Sequence, residues 1–123
     1  MVGLGETKEE IKVIFDQVGT PTWAHDLANA IFTIINADKW VGGIYHFSNE
    51  GACSWYDFAK EIMDLYNLKC KVIPVHSSEF ETKAERPHYS VLDKTKIKQT
   101  YGIEIPHWKD SLKNYMQSPA YII

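Results

Sequence analysis

The chain has 123 residues, of which 45% are apolar and 24% charged, and its formal net charge is −3. This length and composition suit an ordinary globular protein, so we expect residues 1–123 to form a single domain. A net negative charge disfavours nucleic acid and anionic membranes as partners, because both attract basic surfaces. No apolar run reaches the roughly 20 residues that span a bilayer, and no secretion signal is recognisable. We therefore expect a cytoplasmic protein with neither kind of partner.

Cysteine and histidine usage bears on redox chemistry and metal binding. The only cysteines are Cys53 and Cys70, which favours two reduced thiols and leaves one disulfide as the alternative. No two of the five histidines have the i, i+4 spacing of a helical zinc site, and none neighbours a cysteine at ligand spacing. We expect no metal site in this chain.

The first half of the chain alternates extended and helical patterns. Residues 12–16 carry β-branched and aromatic side chains and predict a strand. Thr22 is a good N-cap for a helix with Asp26 in its first turn. Residues 44–47, after the Gly42-Gly43 turn, predict a short strand. Between these two predicted strands, apolar residues at helical spacing predict an amphipathic helix. They are Leu27, Ile31, Ile34 and Ile35.

The second half predicts three helices and a strand. Ser54 and Asp57 have the spacing of a helix-capping box, and residues 71–75 predict a strand. Asp93 would cap a helix that Gly102 ends, and Pro106 would lie in the first turn of the last helix. The predicted buried stripe of the Ser54 helix is Phe58, Ile62, Leu65 and Tyr66. The order β-α-β-α-β-loop-α-α predicts an α/β fold with short strands and about four helices.

Two motifs suggest a nicotinamide site but lack its context. Gly3 and Gly5 have no preceding strand and no third glycine, so a helix end or flexible terminus is favoured over a dinucleotide-binding loop. Tyr56 and Lys60 have the Tyr-x-x-x-Lys spacing of short-chain dehydrogenases. That spacing is also common on helix surfaces, and no phosphate-binding loop accompanies it here. A structural role is favoured for both motifs.

Two segments are better candidates for a ligand site. In "QVGTPT", Gly19 permits close backbone approach, and Gln17, Thr20 and Thr22 offer hydrogen bonds around the rigid Pro21. This pattern suits a sugar or nucleotide, and equally an ordinary capped turn. In "ERPHYSVLD", Arg86 is held extended by Pro87 and could clamp a phosphate, or could pair with an acid such as Glu85.

The order of three segments carries a resemblance to a known family. "DQVGTPTWAHDLANAI", "GIYHFSNEGACSWYDFAKEI" and "RPHYSVLDKTKIKQTYGIEIPHWKDSLKNYM" together resemble the C-terminal part of the dTDP-4-dehydrorhamnose reductases. These are extended short-chain dehydrogenase/reductases that reduce dTDP-6-deoxy-L-lyxo-4-hexulose to dTDP-L-rhamnose with NADPH or NADH. The resemblance implies a substrate-binding domain whose partner, an N-terminal Rossmann domain with the cofactor loop and the catalytic Tyr/Lys pair, lies outside this chain.

The same resemblance implies the site residues. It would place the "QVGTPT" turn at the dTDP-sugar cleft and matches Arg86 and Pro87 to the family's RP-x-x-S stretch, with Ser90 and Leu92 following. The expected substrate-binding residues are Gln17, Gly19, Thr20, Pro21, Thr22, Arg86 and Pro87. We expect no catalytic, cofactor-binding or metal-binding residue in the chain, which alone would be inactive.

Two alternative functions and one oligomeric state also follow from the sequence. A non-catalytic regulatory module, like the similar beta subunit of methionine adenosyltransferase, would act through partner contacts. A reductase or epimerase for another nucleotide sugar would keep the same fold. Apolar surface left uncovered without the Rossmann domain would favour self-association, so we expect some homodimer.

Overall fold

The computed structural model describes residues 1–80 and 84–118 and divides the chain into two compact units. The first unit contains Met1–Gly19 and Ala52–Val91, and the second contains Thr20–Gly51 and Leu92–Ile123. The elements are α1 (Val2–Thr7), β1 (Glu10–Ile14), β2 (Val18–Gly19), α2 (Ala24–Ile35), β3 (Cys53–Ser54), α3 (Trp55–Leu65), β4 (Lys71–Val75), a 3₁₀ turn (Ser77–Glu79), α4 (Thr95–Tyr101) and α5 (Trp108–Gln117). The predicted α/β fold is confirmed. The described residues contain five α-helices against about four predicted, because α1 is additional.

The first unit is built around a parallel pair of strands. β1 and β4 pair in the register Ile11↔Val72, and β1 buries Ile11 and Val13 on one face. The strand predicted at residues 12–16 is therefore two residues late, whereas the one at residues 71–75 is confirmed. The core of the first unit consists of Ile11, Val13, Ala59, Met63, Cys70 and Val72, with Tyr56 and Leu68 packed against it.

Helix α3 covers this sheet and begins as its sequence predicts. The Ser54 hydroxyl accepts a hydrogen bond from the Asp57 amide at 3.0 Å, and the Asp57 carboxylate accepts one from the Ser54 amide at 2.9 Å. The capping box is confirmed. The predicted stripe was partly wrong, since Ile62 is buried but Phe58, Leu65 and Tyr66 are only half-buried. The small Ala59 and the long Met63 fill the core instead.

Helix α1 packs closely within the same unit. Gly5 is buried, and a Cβ at this position would lie 2.6 Å from the Met63 sulfur and 2.8 Å from a Leu68 methyl. Gly3 and Gly5 therefore lie inside a helix, where Gly5 allows close packing, rather than at a helix end.

The second unit consists of α2, α4, α5 and the segments that connect them. The N-cap of α2 is Trp23, whose side chain makes no capping hydrogen bond, so the prediction that Thr22 caps this helix was wrong. The Thr22 hydroxyl donates instead to the Thr20 carbonyl at 3.3 Å. Ala30 is the only buried residue of α2, and Leu27, Ile31 and Ile35 are exposed.

Four further predictions for this unit can be compared with the structure. Residues 44–47 pair with no strand in the described part of the chain, so the predicted strand was wrong. Gly102 ends α4 in the left-handed conformation with φ of 64°, as predicted. Asp93 accepts a hydrogen bond from the Thr95 amide at 2.8 Å, but the N-cap is Lys94. Pro106 precedes α5, whose N-cap is His107, so it is not in the first turn.

Candidate functional site

The two segments with predicted ligand contacts meet in the first unit. The Val18 amide donates to the His88 carbonyl at 2.8 Å, and the Ser90 amide donates to the Val18 carbonyl at 2.9 Å. Val18 thus bridges to Tyr89 in parallel while β2 pairs antiparallel with β3. These two backbone hydrogen bonds hold the two segments in register on an exposed part of the unit.

Gly19 has a specific role in this pairing. A Cβ at residue 19 would lie 2.9 Å from the Ser90 hydroxyl oxygen, which itself donates to the Val18 carbonyl at 3.2 Å. A side chain at this position would require the Ser90 hydroxyl to move, because such a distance is closer than van der Waals contact allows. The glycine therefore permits the close approach of the two segments.

Arg86 and Pro87 are exposed, whereas Gln17 is half-buried. Within residues 1–80 and 84–118 no ion pair joins Arg86 to Glu85 or to another acid. An exposed guanidinium can offer its planar array of N–H donors to an anion, and a phosphate accepts two of them at once. The exposed Arg86 guanidinium is therefore open to an anion from solvent.

Asp16 links the His88 segment to the residues that follow β4. Its carboxylate accepts hydrogen bonds from the Ser77 amide at 3.0 Å and the Ser77 hydroxyl at 3.0 Å, and His76 Nδ1 lies 3.5 Å away. His88 Nδ1 donates to the Asp16 carbonyl at 2.8 Å. Desolvation raises the pKa of the Asp16 carboxyl, but its hydrogen bonds, first those from Ser77, together outweigh it and the pKa lies below the ordinary value.

The remaining predicted residues belong to the second unit. The Thr20 hydroxyl donates to the Gly51 carbonyl at 2.8 Å, which leaves its oxygen lone pairs available. Pro21 is half-buried and Thr22 exposed. Gly51 has φ of +83°, and a Cβ there would lie 2.2 Å from His107 Nε2, so only glycine fits at this turn.

Asn49 is the centre of a buried polar network in the second unit. Its side chain is fully buried; the amide oxygen accepts from the Trp23 amide at 2.8 Å. Its amide nitrogen has Asp26 and Ser111 oxygens as acceptors at 2.7 and 2.8 Å. The Pro106 carbonyl oxygen is a third acceptor, 3.1 Å from the same nitrogen. The network fixes the start of α2, which has no side-chain cap of its own.

A buried lysine extends this network. Lys94 is buried and donates to the Asn49 carbonyl at 3.1 Å, and its ammonium lies 3.4 Å from the Glu50 carboxylate. Lys98 forms a second ion pair with Glu50. The hydrogen bond from Lys98, aided by the charge of Lys94, lowers the pKa of Glu50 despite its desolvation. Pairing of this kind lets a cation occupy a buried position.

Sequence reasoning missed both clusters. Asp16 and Ser77 lie 61 positions apart, and Asn49 and Ser111 lie 62 apart. No local spacing joins such residues, so the sequence holds no signal for them.

The Tyr-x-x-x-Lys residues Tyr56 and Lys60 have separate structural contacts: Tyr56 packs against the core of the first unit, and Lys60 pairs with Asp64 at 3.4 Å.

The second unit also contains a cleft of about 270 Å³. It is lined by Asp26, Asn29, Ala30, Thr33, Phe47, Gly102, Ile103, Glu104 and Pro106.

Within the described ranges no three acidic, histidine or cysteine side chains are grouped to hold a metal ion. None of the helices described is long and apolar enough to cross a membrane.

Comparison with known proteins gives a consistent result. A family model described as the RmlD substrate binding domain matches residues 1–120. The spore coat polysaccharide biosynthesis protein SpsK of Bacillus subtilis (strain 168) is 42% identical over 117 residues, which make up 95% of this chain and 40% of that protein.

Two crystal structures resemble the chain closely. The dTDP-4-dehydrorhamnose reductase of Clostridium acetobutylicum ATCC 824 has a TM-score of 0.88 and 43% identity over 94% of this chain and 41% of its own. The corresponding reductase of Bacillus anthracis str. Ames, in complex with NADP, has a TM-score of 0.85 and 37% identity over 94% and 40%. The chain thus spans about 40% of the length of these relatives.

Proposed function

Because the chain belongs to the family of RmlD substrate binding domains, we propose that it is the dTDP-sugar-binding part of a dTDP-4-dehydrorhamnose reductase. The whole enzyme, in the cytoplasm, reduces dTDP-6-deoxy-L-lyxo-4-hexulose to dTDP-L-rhamnose. The observation that best supports a binding role is the pairing of Val18 with Tyr89, which aligns the two segments that hold Gln17, Gly19 and Arg86.

The division of labour in this enzyme follows from what the chain contains. NADPH or NADH, when bound, supplies the hydride for C4 of the sugar, while a tyrosine of the Rossmann domain supplies the proton for the new hydroxyl. Gly3 and Gly5 lie within α1, and Gly5 packs against Met63, which favours a packing role over a phosphate loop. We therefore assign cofactor binding and the catalytic pair to the Rossmann domain and none of either to this chain.

Within the first unit each predicted residue has a distinct proposed task. Arg86 binds the diphosphate with two N–H donors, and Pro87 keeps the preceding backbone extended. Gly19 allows the Ser90 segment to approach β2, and Gln17 offers its amide to the ligand. In the second unit, Thr20, Pro21 and Thr22 are proposed substrate contacts on the strength of the family resemblance.

Calorimetric titration of the chain with dTDP-rhamnose, and separately with NADPH, tests this proposal. We expect weak dTDP-rhamnose binding and no NADPH binding. Arg86→Ala should weaken dTDP-rhamnose binding by about 10-fold or more, because a charge-assisted bidentate contact is lost. Lys69→Ala, which removes another exposed cation of the same unit, is the matched control. Equal losses of dTDP-rhamnose affinity in both variants would mean that net charge, rather than a specific Arg86 contact, causes the loss. Binding of NADPH would contradict the assignment of the cofactor site to the Rossmann domain.

The nucleotide and sugar can be resolved by the same method. Titration with UDP-sugars in place of dTDP-sugars separates the rhamnose reductase from an enzyme of another nucleotide sugar. Preference for a UDP-sugar would replace the dTDP assignment while retaining the binding role. The relatives named above are reductases and a polysaccharide biosynthesis protein, so a regulatory module is not favoured.

A homodimer of the isolated chain is also part of the proposal. Large apolar side chains of the second unit are exposed, among them Phe32, Trp40 and Ile44. Such side chains favour self-association in water. Sedimentation velocity over a range of concentrations measures this directly, and a monomer at every concentration would contradict it.

A further inference from the structure

The His88 ring is held to the connection between β1 and β2 by a hydrogen bond at one of its nitrogens. His88 Nδ1 lies 2.8 Å from the Asp16 carbonyl oxygen, and the Val18 amide donates to the His88 carbonyl at 2.8 Å. A carbonyl oxygen only accepts hydrogen bonds, so the hydrogen of the neutral ring is on Nδ1. The contact therefore sets both the tautomer and the orientation of the ring.

The other ring nitrogen of His88 is uncommitted. His88 is exposed, and its Nε2 has no hydrogen-bond or ion-pair partner within residues 1–80 and 84–118. In the neutral ring Nε2 carries a lone pair, and only the protonated ring donates from both nitrogens. Because hydrogen bonds from a charged donor to a phosphate oxygen are stronger than neutral ones, an anion that accepts from Nε2 favours the protonated ring.

Arg86 places a second cationic donor on the same segment. It is exposed, and no ion pair joins it to an acid in the described part of the chain. Only Pro87 separates Arg86 from His88, so their Cα atoms are at most about 7 Å apart. A guanidinium and an imidazolium this close together can both contact one diphosphate group.

We propose that His88 is a second side chain that binds the diphosphate of the dTDP-sugar, donating from Nε2, and that the Asp16 carbonyl positions its ring. This inference rests on the proposed function and deepens it, by adding a residue at a position that the RP-x-x-S stretch leaves open. Binding then takes up one proton from solvent. The proton bonds to Nε2, the new N–H donates to a phosphate oxygen, and the Nδ1 hydrogen keeps its bond to Asp16.

His76 is the histidine from which His88 must be distinguished. Its Nδ1 lies 3.5 Å from the Asp16 carboxylate, whereas His88 faces the Asp16 carbonyl. Asp16 accepts from the Ser77 amide at 3.0 Å and Glu79 accepts from the His76 amide at 3.0 Å, so both acids have partners of their own. Besides His88, the charged and titratable residues within positions 16, 76–80 and 84–91 are Asp16, His76, Glu79, Glu85, Arg86 and Tyr89. His76 contacts the same aspartate from outside the Arg86 segment, which makes it the matched control.

Calorimetric titration of the chain with dTDP-rhamnose, in two buffers of different ionisation enthalpy, measures the protons taken up on binding. Near neutral pH we expect uptake of up to about one proton per ligand, because histidine changes its charge between about pH 5 and 8. The diphosphate of the ligand is fully ionised there and takes up none. His88→Asn should abolish the uptake and weaken binding by about 10-fold, since a charge-assisted hydrogen bond is lost. His76→Asn should change neither.

Proton uptake is a readout that a merely structural role of His88 would not move. The amide of the introduced asparagine takes the place of Nδ1 as the donor to Asp16, so the Tm of His88→Asn should stay within about 2 °C of that of the unmodified chain. Unchanged uptake in His88→Asn would overturn the proposal whatever its Tm. Loss of uptake in His76→Asn alone would assign the proton to His76 and also overturn it.

Arg86→Ala separates this inference from the proposed function. If Arg86→Ala weakens dTDP-rhamnose binding and His88→Asn does not, the role of His88 is rejected and the proposed function stands. If only His88→Asn weakens binding and abolishes the uptake, His88 is confirmed and the task given to Arg86 is rejected. Absence of dTDP-rhamnose binding by the unmodified chain would reject the proposed function itself.

Discussion

Helices α2 and α3 have similar amphipathic sequences, but their apolar side chains are buried to different extents. α3 (Trp55–Leu65) buries Ala59, Ile62 and Met63 in its own unit. α2 (Ala24–Ile35) buries only Ala30 and exposes Phe32 and Ile35 at 64% each. Periodicity therefore indicates that a helix face is to be covered, but it does not say whether the cover comes from the same chain.

The two helices also begin differently. α3 has a capping box between Ser54 and Asp57, all within one short segment. α2 has no side-chain cap, and the Trp23 amide is satisfied by Asn49, which lies 26 positions away. The start of α3 is thus locally encoded, and that of α2 depends on tertiary structure. The following predictions test this contrast in order of expected effect.

The largest difference should come from truncating one apolar side chain of each helix. Met63→Ala should reduce the free energy of unfolding by about 2–5 kcal/mol, because Met63 is 1% exposed and its loss leaves a cavity. Phe32→Ala should change the free energy of unfolding of the isolated chain by no more than about 0.5 kcal/mol, since its side chain is exposed. Urea denaturation measures both. A comparable cost for Phe32→Ala would show that α2 is packed like α3.

The next effect concerns the network that starts α2. Asn49→Ala should reduce the free energy of unfolding by about 3 kcal/mol, because the Trp23 amide and the Asp26 carboxylate lose a buried partner. Asn29→Ala, an exposed position of α2, is the control and should cost at most about 0.5 kcal/mol. Similar urea midpoints for the two variants would refute the role given to Asn49.

The caps of the two helices should differ by a smaller amount. Ser54→Ala removes the hydroxyl that accepts from the Asp57 amide and should cost about 1 kcal/mol. Thr22→Ala should cost a few tenths of a kcal/mol at most, because Thr22 caps no helix here. Thermal unfolding followed by circular dichroism compares them. If Thr22→Ala proved as costly as Ser54→Ala, Thr22 would be the functional cap of α2 in solution.

The smallest expected effect is the pH dependence contributed by Asp16. Its folded-state pKa is below the ordinary value, so its stabilising contribution is complete above about pH 4 and is lost as the pH falls through the folded pKa. Asp16→Asn should therefore make the acid limb of the stability curve shallower. Ser77→Ala should have a weaker effect in the same direction, because the Ser77 amide still donates to Asp16. Unchanged acid limbs in both variants would contradict the assigned cause.

The family was recognisable from the sequence because its signals are local and ordered. The resemblance carried by "QVGTPT", the Ser54 helix and the Arg86-Pro87 stretch is confirmed by the family match over residues 1–120. The α/β class, β4 and the Gly102 helix end are confirmed as well. The ligand contacts assigned to Gln17, Arg86 and the other cleft residues stay predictions.

The failures have a common physical origin. The strand predicted at residues 44–47 has the right side-chain pattern, yet a strand exists only when another strand accepts its hydrogen bonds. Thr22 is a good N-cap by type, but the N-cap is Trp23, whose amide donates to the Asn49 side chain 26 positions away. In the second case the deciding partner is far away in the sequence.

The sequence by itself determined the elements that depend on neighbours within a few positions. These are the capping box of Ser54 and Asp57 and the glycine end of α4. Only the tertiary structure decided that Val18 pairs with Tyr89 and that Asn49 joins Asp26 to Ser111. The reason is that these bonds close loops of many residues, and their geometry depends on the packing of whole elements rather than on local backbone preference.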